Sequence, residues 1–277
     1  MLKKWVALSI LCIVTSFYQF ERKVWANQSS YTFGVVPQYE IHRLASIWLP
    51  ILTELEKKTG LKFRLVGATN IPDFEDRFMN GNFDFAYMNP YHSRLAQKDQ
   101  GYIALVRDGS KRLFGILVAR KDSQIDAVEQ LEGKEIAFPA PNALGASLVM
   151  RADLDQLFGL TYTPIYVQTH SSVYLNVALG KEAAGGGVMG SFSTQQKEIR
   201  DKLKIIYKTR TMAPHPVVAH PRVPEEHRER VRKAFLEIGK TQDGAELLAK
   251  IPIHKIVAAD SSDYEELDAW GLEKYVE

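Results

Sequence analysis

Residues 81–91 read GNFDFAYMNPY and carry the clearest fold signal in the chain. The apolar run Phe83–Met88 predicts a short buried strand, after which Asn89 and Pro90 end the strand and open a helix. The same order of strand, polar turn and helix recurs along most of the chain. Repeated units of this kind predict an α/β protein with parallel or mixed sheets covered by helices.

The remaining predicted strands are apolar runs that end in turn residues. They are Tyr31–Val36, Leu61–Val66, Tyr102–Val106, Leu113–Ala119, Lys134–Phe138, Pro164–Gln168, Leu203–Tyr207 and Pro216–His220. The spacing of apolar residues predicts helices over Leu44–Leu55, Pro72–Met79, Gly145–Phe158, Ser171–Leu179, Pro224–Ile238, Asp243–Lys250 and Asp263–Trp270. Because no low-complexity linker divides these units, we expect two lobes connected by chain crossings near Leu113–Ala119 and Tyr207–His220.

Composition and charge exclude several classes of protein. The 277 residues are 45% hydrophobic and 25% charged, which is ordinary for a globular protein and excludes a disordered, collagen-like or coiled-coil chain. Lys and Arg number 35 against 33 Asp and Glu, a formal charge of +2. This balance excludes a nucleic-acid binder that works by bulk positive charge.

Residues 1–26 have the pattern of a secretory signal peptide. The basic pair Lys3-Lys4 precedes the apolar run Trp5–Phe20, and Val24 and Ala26 occupy positions −3 and −1 of a cleavage site. We therefore expect the mature chain to begin at Asn27 and to be a soluble periplasmic protein. A retained anchor is the alternative, but the run is short for a span that needs about 20 apolar residues.

A lipoprotein signal at Cys12 is not supported, because Leu11 precedes it where such signals carry a small residue. Cleavage after Ala26 removes Cys12, the one cysteine in the chain, which suits an oxidising compartment. Residues 1–26 carry four basic residues and one acidic residue, so cleavage changes the net charge from +2 to −1. Binding of an anion must therefore depend on local structure.

The sequence lacks common enzyme motifs: G-x-S-x-G, the P-loop, H-E-x-x-H and C-x-x-C are all absent. The run Gly185-Gly186-Gly187 lacks nucleotide-loop spacing, and we interpret it as a place where a backbone approaches closely or bends. His215 and His220 are five residues apart, which suits neither one helix face nor one strand face for metal binding. We therefore expect no catalytic residue, no metal site and no cofactor.

Four polar loops are candidates for a ligand site: residues 37–40, 87–91, 140–145 and 169–172. Each follows a predicted strand, at the edge where open α/β sheets bind ligands. Each also leads into a helix, whose N-terminus presents unpaired N–H groups and the positive end of the helix dipole to an anion. Capping and turn formation would explain each loop taken singly, and this alternative stays open.

In the order of its motifs the chain resembles the periplasmic substrate-binding proteins of ABC transporters, in the phosphate-, phosphite- and phosphonate-binding group. The resemblance covers roughly Tyr31 to Ile251 and rests on FGVV (33–36), WLP (48–50), GNFDFAY (81–87), DGS (108–110), LVARKDS (117–123), LEGK (131–134) and ALGK (178–181). It implies a type II periplasmic-binding-protein fold, in which two lobes, each a mixed sheet flanked by helices, are joined by two hinge strands. Residues 27–115 would begin lobe 1, residues 116–210 would form lobe 2, and residues 211–277 would return to lobe 1 and add the C-terminal helices.

The implied pocket departs from the family pattern. The family's Ser/Thr turn, which holds the phosphoryl oxygens, falls at residues 143–146, where Ala-Leu-Gly-Ala leaves only backbone donors. His170 matches a ligand-binding histidine of the family. Acidic residues that meet the amino group of an aminophosphonate fall at Gly190 and His215, and a pocket tyrosine falls at Leu113. A plain anion fits these changes better than an aminophosphonate does.

We expect the charge of that anion to be met by helix N-termini, by His170 and by His215 or Arg43. The aromatic residues Tyr39, Tyr87 and Tyr91 could instead frame an organic ligand. The predicted ligand-binding residues are Tyr39, Glu40, Tyr87, Asn89, Tyr91, Asn142, Ala143, Leu144, Gly145, His170, Ser171 and His215.

The expected function is capture of a small phosphorus oxyanion between two lobes and its delivery to an ABC permease in the inner membrane. The expected partners are thus a small anionic ligand and the permease, with no nucleic acid, and the mature form would be monomeric. Three alternatives stay open: the same module signalling to a membrane sensor kinase, a binder of a different small organic anion, and a periplasmic hydrolase with His170 or His215 as base.

Overall fold

A computed structural model describes residues 30–277, so the predicted signal peptide, its cleavage site and Cys12 lie outside the described residues. The strands are β1 (Tyr31–Val35), β2 (Phe63–Val66), β3 (Phe85–Tyr87), β4 (Ile103–Asp108), β5 (Gly115–Arg120), β6 (Glu135–Phe138), β7 (Thr163–Tyr166), β8 (Ala184–Val188), β9 (Leu203–Lys208), β10 (Val217–Ala219) and β11 (Ile256–Ala258). The α-helices are α1 (Ile41–Thr59), α2 (Ile71–Met79), α3 (Pro90–Gln100), α4 (Val149–Gln156), α5 (His170–Leu179), α6 (Met189–Ser193), α7 (Lys197–Arg200), α8 (Glu225–Ile238) and α9 (Gln242–Ala249). A single π-helical turn, Leu144–Leu148, continues directly into α4.

The strands form two mixed sheets, which confirms the predicted α/β fold. The first sheet has the order β11-β4-β10-β3-β1-β2, with β1 parallel to β2 and β3 and the β10 and β11 pairings antiparallel. The second has the order β7-β6-β8-β5-β9, with β6 parallel to β7 and β8 and β5 antiparallel to its two neighbours. Parallel pairs require crossover helices, and these helices cover the faces of both sheets.

Helix α1 illustrates how the sequence pattern builds the first core. Its apolar residues at helical spacing are all buried, namely Leu44, Ile47, Trp48, Ile51, Leu52 and Leu55. The Trp48 ring packs 5.1 Å from the Phe33 ring of β1. The helix ends where predicted, because Gly60 adopts φ +68° and its N–H donates to the carbonyl of Glu56.

The two sheets are connected side by side. The first connection passes through Leu113 and the second through Met212, and each of these residues donates its N–H to the other's carbonyl at 2.8 Å. The C-terminal segment contacts both halves as well: Asp268 is 2.5 Å from Arg94 of α3, and Glu277 is 2.6 Å from Arg151 of α4. This segment is 3₁₀-helical over Ser261–Trp270, where the sequence predicted an ordinary helix over Asp263–Trp270.

Strand β8 lies at the centre of the second sheet, although its sequence AGGGV does not predict a strand. A Cβ at Gly186 would lie 1.9 Å from the carbonyl oxygen of Ala146, and one at Gly187 would lie 2.0 Å from the hydroxyl of Tyr174. The predicted close approach of a backbone is therefore confirmed at Gly186, whereas Gly187 faces a side chain. The glycines let the Leu144–Leu148 turn and α5 pack directly on β8, which brings both helix starts to one edge of the sheet.

Asp108 anchors the loop that enters the first connection. It is 3% exposed, and its carboxylate accepts hydrogen bonds from the N–H groups of Ser110, Lys111, His254 and Lys255 at 2.8–3.2 Å and from the Ser110 hydroxyl at 2.6 Å. Burial alone would raise the pKa of Asp108, but these hydrogen bonds outweigh it and the pKa is lowered from 3.8. The carboxylate thus contributes stability above pH 3.8 that is lost as the pH falls through its lowered pKa.

Substitution Asp108→Asn is expected to lower the free energy of unfolding by about 2 kcal/mol at pH 7, because an amide offers one acceptor atom in place of two. Urea unfolding measures the change, with Asp99→Asn on the exposed end of α3 as the control. The difference from the parent protein should shrink below pH 3.8, where the parent carboxyl also takes up a proton. Equal stabilities of the two variants at pH 7 would contradict this account.

Candidate functional site

A small cavity lies between the two sheets. The first half of the molecule supplies Val36, Gln38, Ile71 and Asn89, and the second half supplies Ala143, Leu144, Gly145, Ala146, His170 and Val188. The two connections supply Leu113 and His215. Because both sheets contribute, a molecule in this cavity would contact both halves of the protein at once.

The Leu144–Leu148 turn presents backbone donors to the cavity. The carbonyl oxygens of Gly145 and Ala146 lie against β5 and β8, at the positions where Gly115 and Gly186 lack a side chain. A trans peptide points its N–H opposite to its C=O, so the N–H of Ala146 points away from the sheet. The N–H groups of Leu144, Gly145 and Ala146 belong to the first turn of the helix, where no earlier helical carbonyl can receive them.

Two further helices begin beside the cavity. Helix α5 starts at His170, and the Thr169 hydroxyl caps it by accepting the N–H of Ser172 at 3.0 Å. Helix α3 starts at Pro90, and Asn89 caps it by accepting the N–H of His92 at 2.8 Å. Three positive helix ends therefore converge on one small volume, which favours a bound anion.

His170 is buried in the wall of the cavity. Its Nδ1 lies 3.2 Å from the hydroxyl oxygen of Ser191 on α6. Burial lowers the pKa of His170 to about 4, so the imidazole is neutral at neutral pH. It can take part in hydrogen bonds to a ligand but brings no positive charge.

His215 lies on the second connection and is also buried. Its ring stacks on Tyr87 at 5.3 Å, and its Nε2 lies 2.9 Å from Nε2 of Gln38. Burial, followed by the neighbouring His92 and His170, lowers the pKa of His215 to about 3. A neutral His215 brings no positive charge to the cavity, and Arg43 lies 4.0 Å over the Tyr39 ring, outside the cavity wall. The expected role of these two residues in meeting the charge of the anion stays a prediction.

The cavity includes half of the predicted ligand-binding residues, namely Asn89, Ala143, Leu144, Gly145, His170 and His215. The other half lies outside its wall. Tyr87 is behind His215 and donates its hydroxyl to the Ile251 carbonyl, Tyr91 packs in an apolar cluster with Leu144, and Ser171 accepts a hydrogen bond from Gln195. Tyr39 lies under Arg43, Glu40 is exposed at the start of α1, and Asn142 is buried beside the cavity.

Sequence reasoning did not place Val36, Gln38, Ile71 and Val188 in the wall. Gln38 belongs to a polar loop that was recognised, and a place at the carboxyl end of β1 is the signal that would have selected it. The other three residues are apolar, and nothing in the sequence distinguishes them from ordinary core residues. Leu113 and Ala146 do line the cavity, at positions where the family pattern places a tyrosine and part of the Ser/Thr turn.

Asn142 joins the two halves of the molecule beside the cavity. Its amide donates to Oε2 of Glu75 on α2 at 3.1 Å, and its carbonyl accepts from the Asn89 amide at 3.4 Å. Glu75 also lies 2.8 Å from Nε2 of the fully buried His92. The two Asn142 contacts cross between the halves of the molecule, whereas the Glu75–His92 contact lies within the first half.

No group of three or more His, Cys, Asp or Glu side chains within residues 30–277 could hold a metal ion. No helix in this range has both the length and the apolar character needed to cross a membrane.

Two mixed sheets, side-by-side connections and a cavity between them define a type II periplasmic-binding-protein fold. The family described as "ABC transporter, phosphonate, periplasmic substrate-binding protein" matches residues 33–264. The chain therefore belongs to this family of substrate-binding proteins.

Known proteins agree with this assignment. The phosphonates-binding periplasmic protein of Escherichia coli K12 is 22% identical over 247 residues, covering 81% of this chain and 71% of that protein. The structure of PhnD1 from Prochlorococcus marinus in complex with methylphosphonate superposes with a TM-score of 0.81 at 15% identity, covering 90% of this chain and 99% of that one. A binding-protein component of an ABC phosphonate transporter from Pseudomonas aeruginosa gives a TM-score of 0.80 at 19% identity, covering 90% and 87%.

Proposed function

We propose that this protein captures a small phosphorus oxyanion, such as phosphate, phosphite or an alkylphosphonate, and delivers it to an ABC permease. The observation that carries the proposal is the convergence of three helix N-termini on the cavity between the sheets. Backbone N–H groups can bind an oxyanion without a cationic side chain. The methylphosphonate complex of the Prochlorococcus relative supports the same class of ligand.

The lining of the cavity favours a ligand without an amino group. No carboxylate belongs to the cavity wall among the described residues, so an ammonium group would be buried without a partner there. The apolar side chains of Ile71, Leu113, Leu144 and Val188 suit a hydrogen or a small alkyl group on phosphorus. Aminoalkylphosphonates should therefore bind more weakly than alkylphosphonates of the same size.

Ligand capture would proceed by closure of two lobes. We assign residues 27–115 and 211–277 to one lobe and residues 116–210 to the other, with residues 1–26 as the export signal to the periplasm. A ligand that contacts both lobes only when they are closed shifts the equilibrium towards the closed form. A permease that recognises the closed form would then receive loaded protein.

A hydrolase is the second candidate function, because the Ser191 hydroxyl oxygen lies 3.2 Å from His170 Nδ1. Ser191 is 3% exposed, its hydroxyl contacts Tyr174 and the Val188 carbonyl, and the residue does not belong to the cavity wall. It therefore cannot reach a phosphorus atom in the cavity. Output through a membrane sensor kinase would use the same closure and the same ligand.

A thermal-shift series tests the ligand class with phosphate, phosphite, methylphosphonate, aminoethylphosphonate, sulfate and small organic acids. A ligand that binds only the native state at a hundred times its Kd should stabilise it by about 2.7 kcal/mol, which raises the melting temperature by several degrees. We expect this rise with at least one of phosphate, phosphite and methylphosphonate, and a smaller one with aminoethylphosphonate. A rise with an organic acid alone would overturn the phosphorus assignment and leave the fold unaffected.

A further inference from the structure

A buried hydrogen-bond cluster contacts His170 through the Nδ1 atom of its ring. It consists of His170 Nδ1, the hydroxyls of Ser191 and Tyr174, and the backbone N–H and C=O of Val188. Ser191 Oγ lies 3.2 Å from His170 Nδ1, 2.8 Å from the Tyr174 hydroxyl and 3.0 Å from the Val188 carbonyl. The Tyr174 hydroxyl lies 3.1 Å from both the N–H and the carbonyl of Val188.

The number of hydrogens in this cluster depends on which nitrogen of His170 carries the proton. With the proton on Nδ1, four of the five contacts hold a hydrogen. The Val188 N–H donates to the Tyr174 hydroxyl, and the Tyr174 hydroxyl donates to Ser191. The Ser191 hydroxyl donates to the Val188 carbonyl, and His170 Nδ1–H donates to Ser191. With the proton on Nε2, only three of the same five contacts hold a hydrogen, because the Val188 N–H and the two hydroxyls are then the sole donors of the cluster. A buried polar cluster is more stable when more of its contacts hold a hydrogen.

We propose that His170 presents the lone pair of Nε2 to the cavity, so that the site binds the singly protonated, singly charged form of the phosphorus oxyacid, whose P–O–H group donates to Nε2. This inference rests on the proposed function and deepens it by naming the protonation state of the ligand. The unprotonated oxygens of the ligand then accept from the helix N-termini, and Ser191 is a positioning residue that holds the tautomer of His170.

The charge of the cavity agrees with a single negative charge on the ligand. Among the residues that the structure describes, no Lys or Arg belongs to the cavity wall, and both histidines of the wall are neutral at neutral pH. Tyr174 and Tyr87 stay protonated, because burial raises the pKa of each phenol. Helix termini each contribute about half an elementary charge, which is a weak counterpart for a dianion.

Charged groups on the neighbouring elements do not alter this assignment. The elements packed against α5 carry Arg120, Glu135, Lys197, Glu198, Arg200, Lys204 and Lys208. Three of the cations form ion pairs with aspartates: Arg120 with Asp122, Lys197 with Asp201 and Lys204 with Asp126. Burial is the sole cause of the lowered pKa of His170 and the largest cause of that of His215, so between about pH 5 and about pH 9 neither histidine of the cavity wall takes up a proton and the group that titrates in the cavity is the ligand itself.

Calorimetry with methylphosphonate from pH 5.5 to pH 9 tests the inference on the unaltered protein. Kd should be constant at low pH and should then rise by about tenfold per pH unit above the ligand's second ionisation, because only the monoanion is competent to bind. Phosphorus NMR of the ligand in the same buffers gives that ionisation independently. A Kd that stays constant or falls as the pH rises would overturn the inference while leaving the phosphonate-binding function intact.

Nitrogen NMR of protein labelled in its histidines separates this state from a protonated His170 bound to a dianion, which would give the same pH dependence. We expect a neutral His170 with its proton on Nδ1, both free and with methylphosphonate bound. An imidazolium, or a proton on Nε2 in the complex, would overturn the inference. If no phosphorus compound binds at any pH, the proposed function and this inference fail together.

The variant Ser191→Ala removes the acceptor of the Nδ1 proton, and Ser193→Ala on the same helix is its matched control. Ser193 is exposed and its hydroxyl donates to the Gly190 carbonyl, away from His170. We expect Ser191→Ala to shift His170 towards the Nε2 tautomer and to weaken methylphosphonate binding about tenfold at pH 6, the loss typical of one hydrogen bond. Unchanged histidine signals in a folded Ser191→Ala protein would overturn the positioning role.

Discussion

Substitution Gly186→Ala is expected to lower the free energy of unfolding by about 3 kcal/mol, a large effect for one methyl group. The added Cβ would lie 1.9 Å from the carbonyl oxygen of Ala146 and 2.7 Å from the Phe138 ring. The first of these atoms is backbone in the turn that opens α4, so the turn must move. Because the same turn presents the N–H of Ala146 to the cavity, we also expect binding of methylphosphonate to weaken at least tenfold.

Gly190→Ala is the matched control for this prediction. Gly190 lies four residues further on, and the nearest atom to an added Cβ there is Pro252 Cγ at 3.7 Å, an ordinary contact. Urea unfolding should place this variant within about 0.5 kcal/mol of the parent protein, as expected for a site without a clash. If Gly186→Ala is as stable as Gly190→Ala and binds methylphosphonate as well as the parent protein does, the close packing of the turn on β8 is wrong.

Much of the first sheet and its helices could be predicted from hydrophobic periodicity. The apolar positions of α1 and the stop at Gly60 depend only on residues close together in sequence, and both are confirmed. Strand β8 could not be predicted in the same way, since AGGGV is a strand only because β5 and β6 pair with it from either side. Glycine is needed in this strand because residues 144–148 and 174 pack directly on it, and those residues are distant from the strand in sequence or belong to another element.

The candidate site also has features that could be predicted from the sequence and features that could not. The loops were identified because polar residues follow strands, and all four contribute to the cavity wall: Gln38 in the first, Asn89 in the second, residues 143–145 in the third and His170 in the fourth. The charge state of the histidines could not be read from sequence, because it depends on burial by residues far away in the chain. The aromatic residues Tyr87 and Tyr91 resemble ligand-framing groups in sequence, yet they pack behind the site.

Substitution His170→Ala is expected to weaken methylphosphonate binding between about tenfold and a hundredfold at pH 6, because a hydrogen bond to a charged partner contributes about 1.5–3 kcal/mol. The pH dependence of Kd should change as well, since the variant no longer offers an acceptor to the P–O–H group. Folding should be retained, because the described side-chain hydrogen bonds of His170 are limited to its contact with Ser191. Calorimetry and thermal unfolding of the same preparation measure both effects.

His254→Ala is the control, since His254 is exposed and only its backbone N–H is used, by Asp108. This variant should bind methylphosphonate like the parent protein. A His170→Ala protein that unfolds at the parent temperature and binds with the parent Kd would remove His170 from the site. A variant that keeps its affinity at low pH and still weakens tenfold per pH unit would show that a group other than His170 selects the protonated ligand, and Gln38, on the opposite wall beside His215, is the next acceptor to replace.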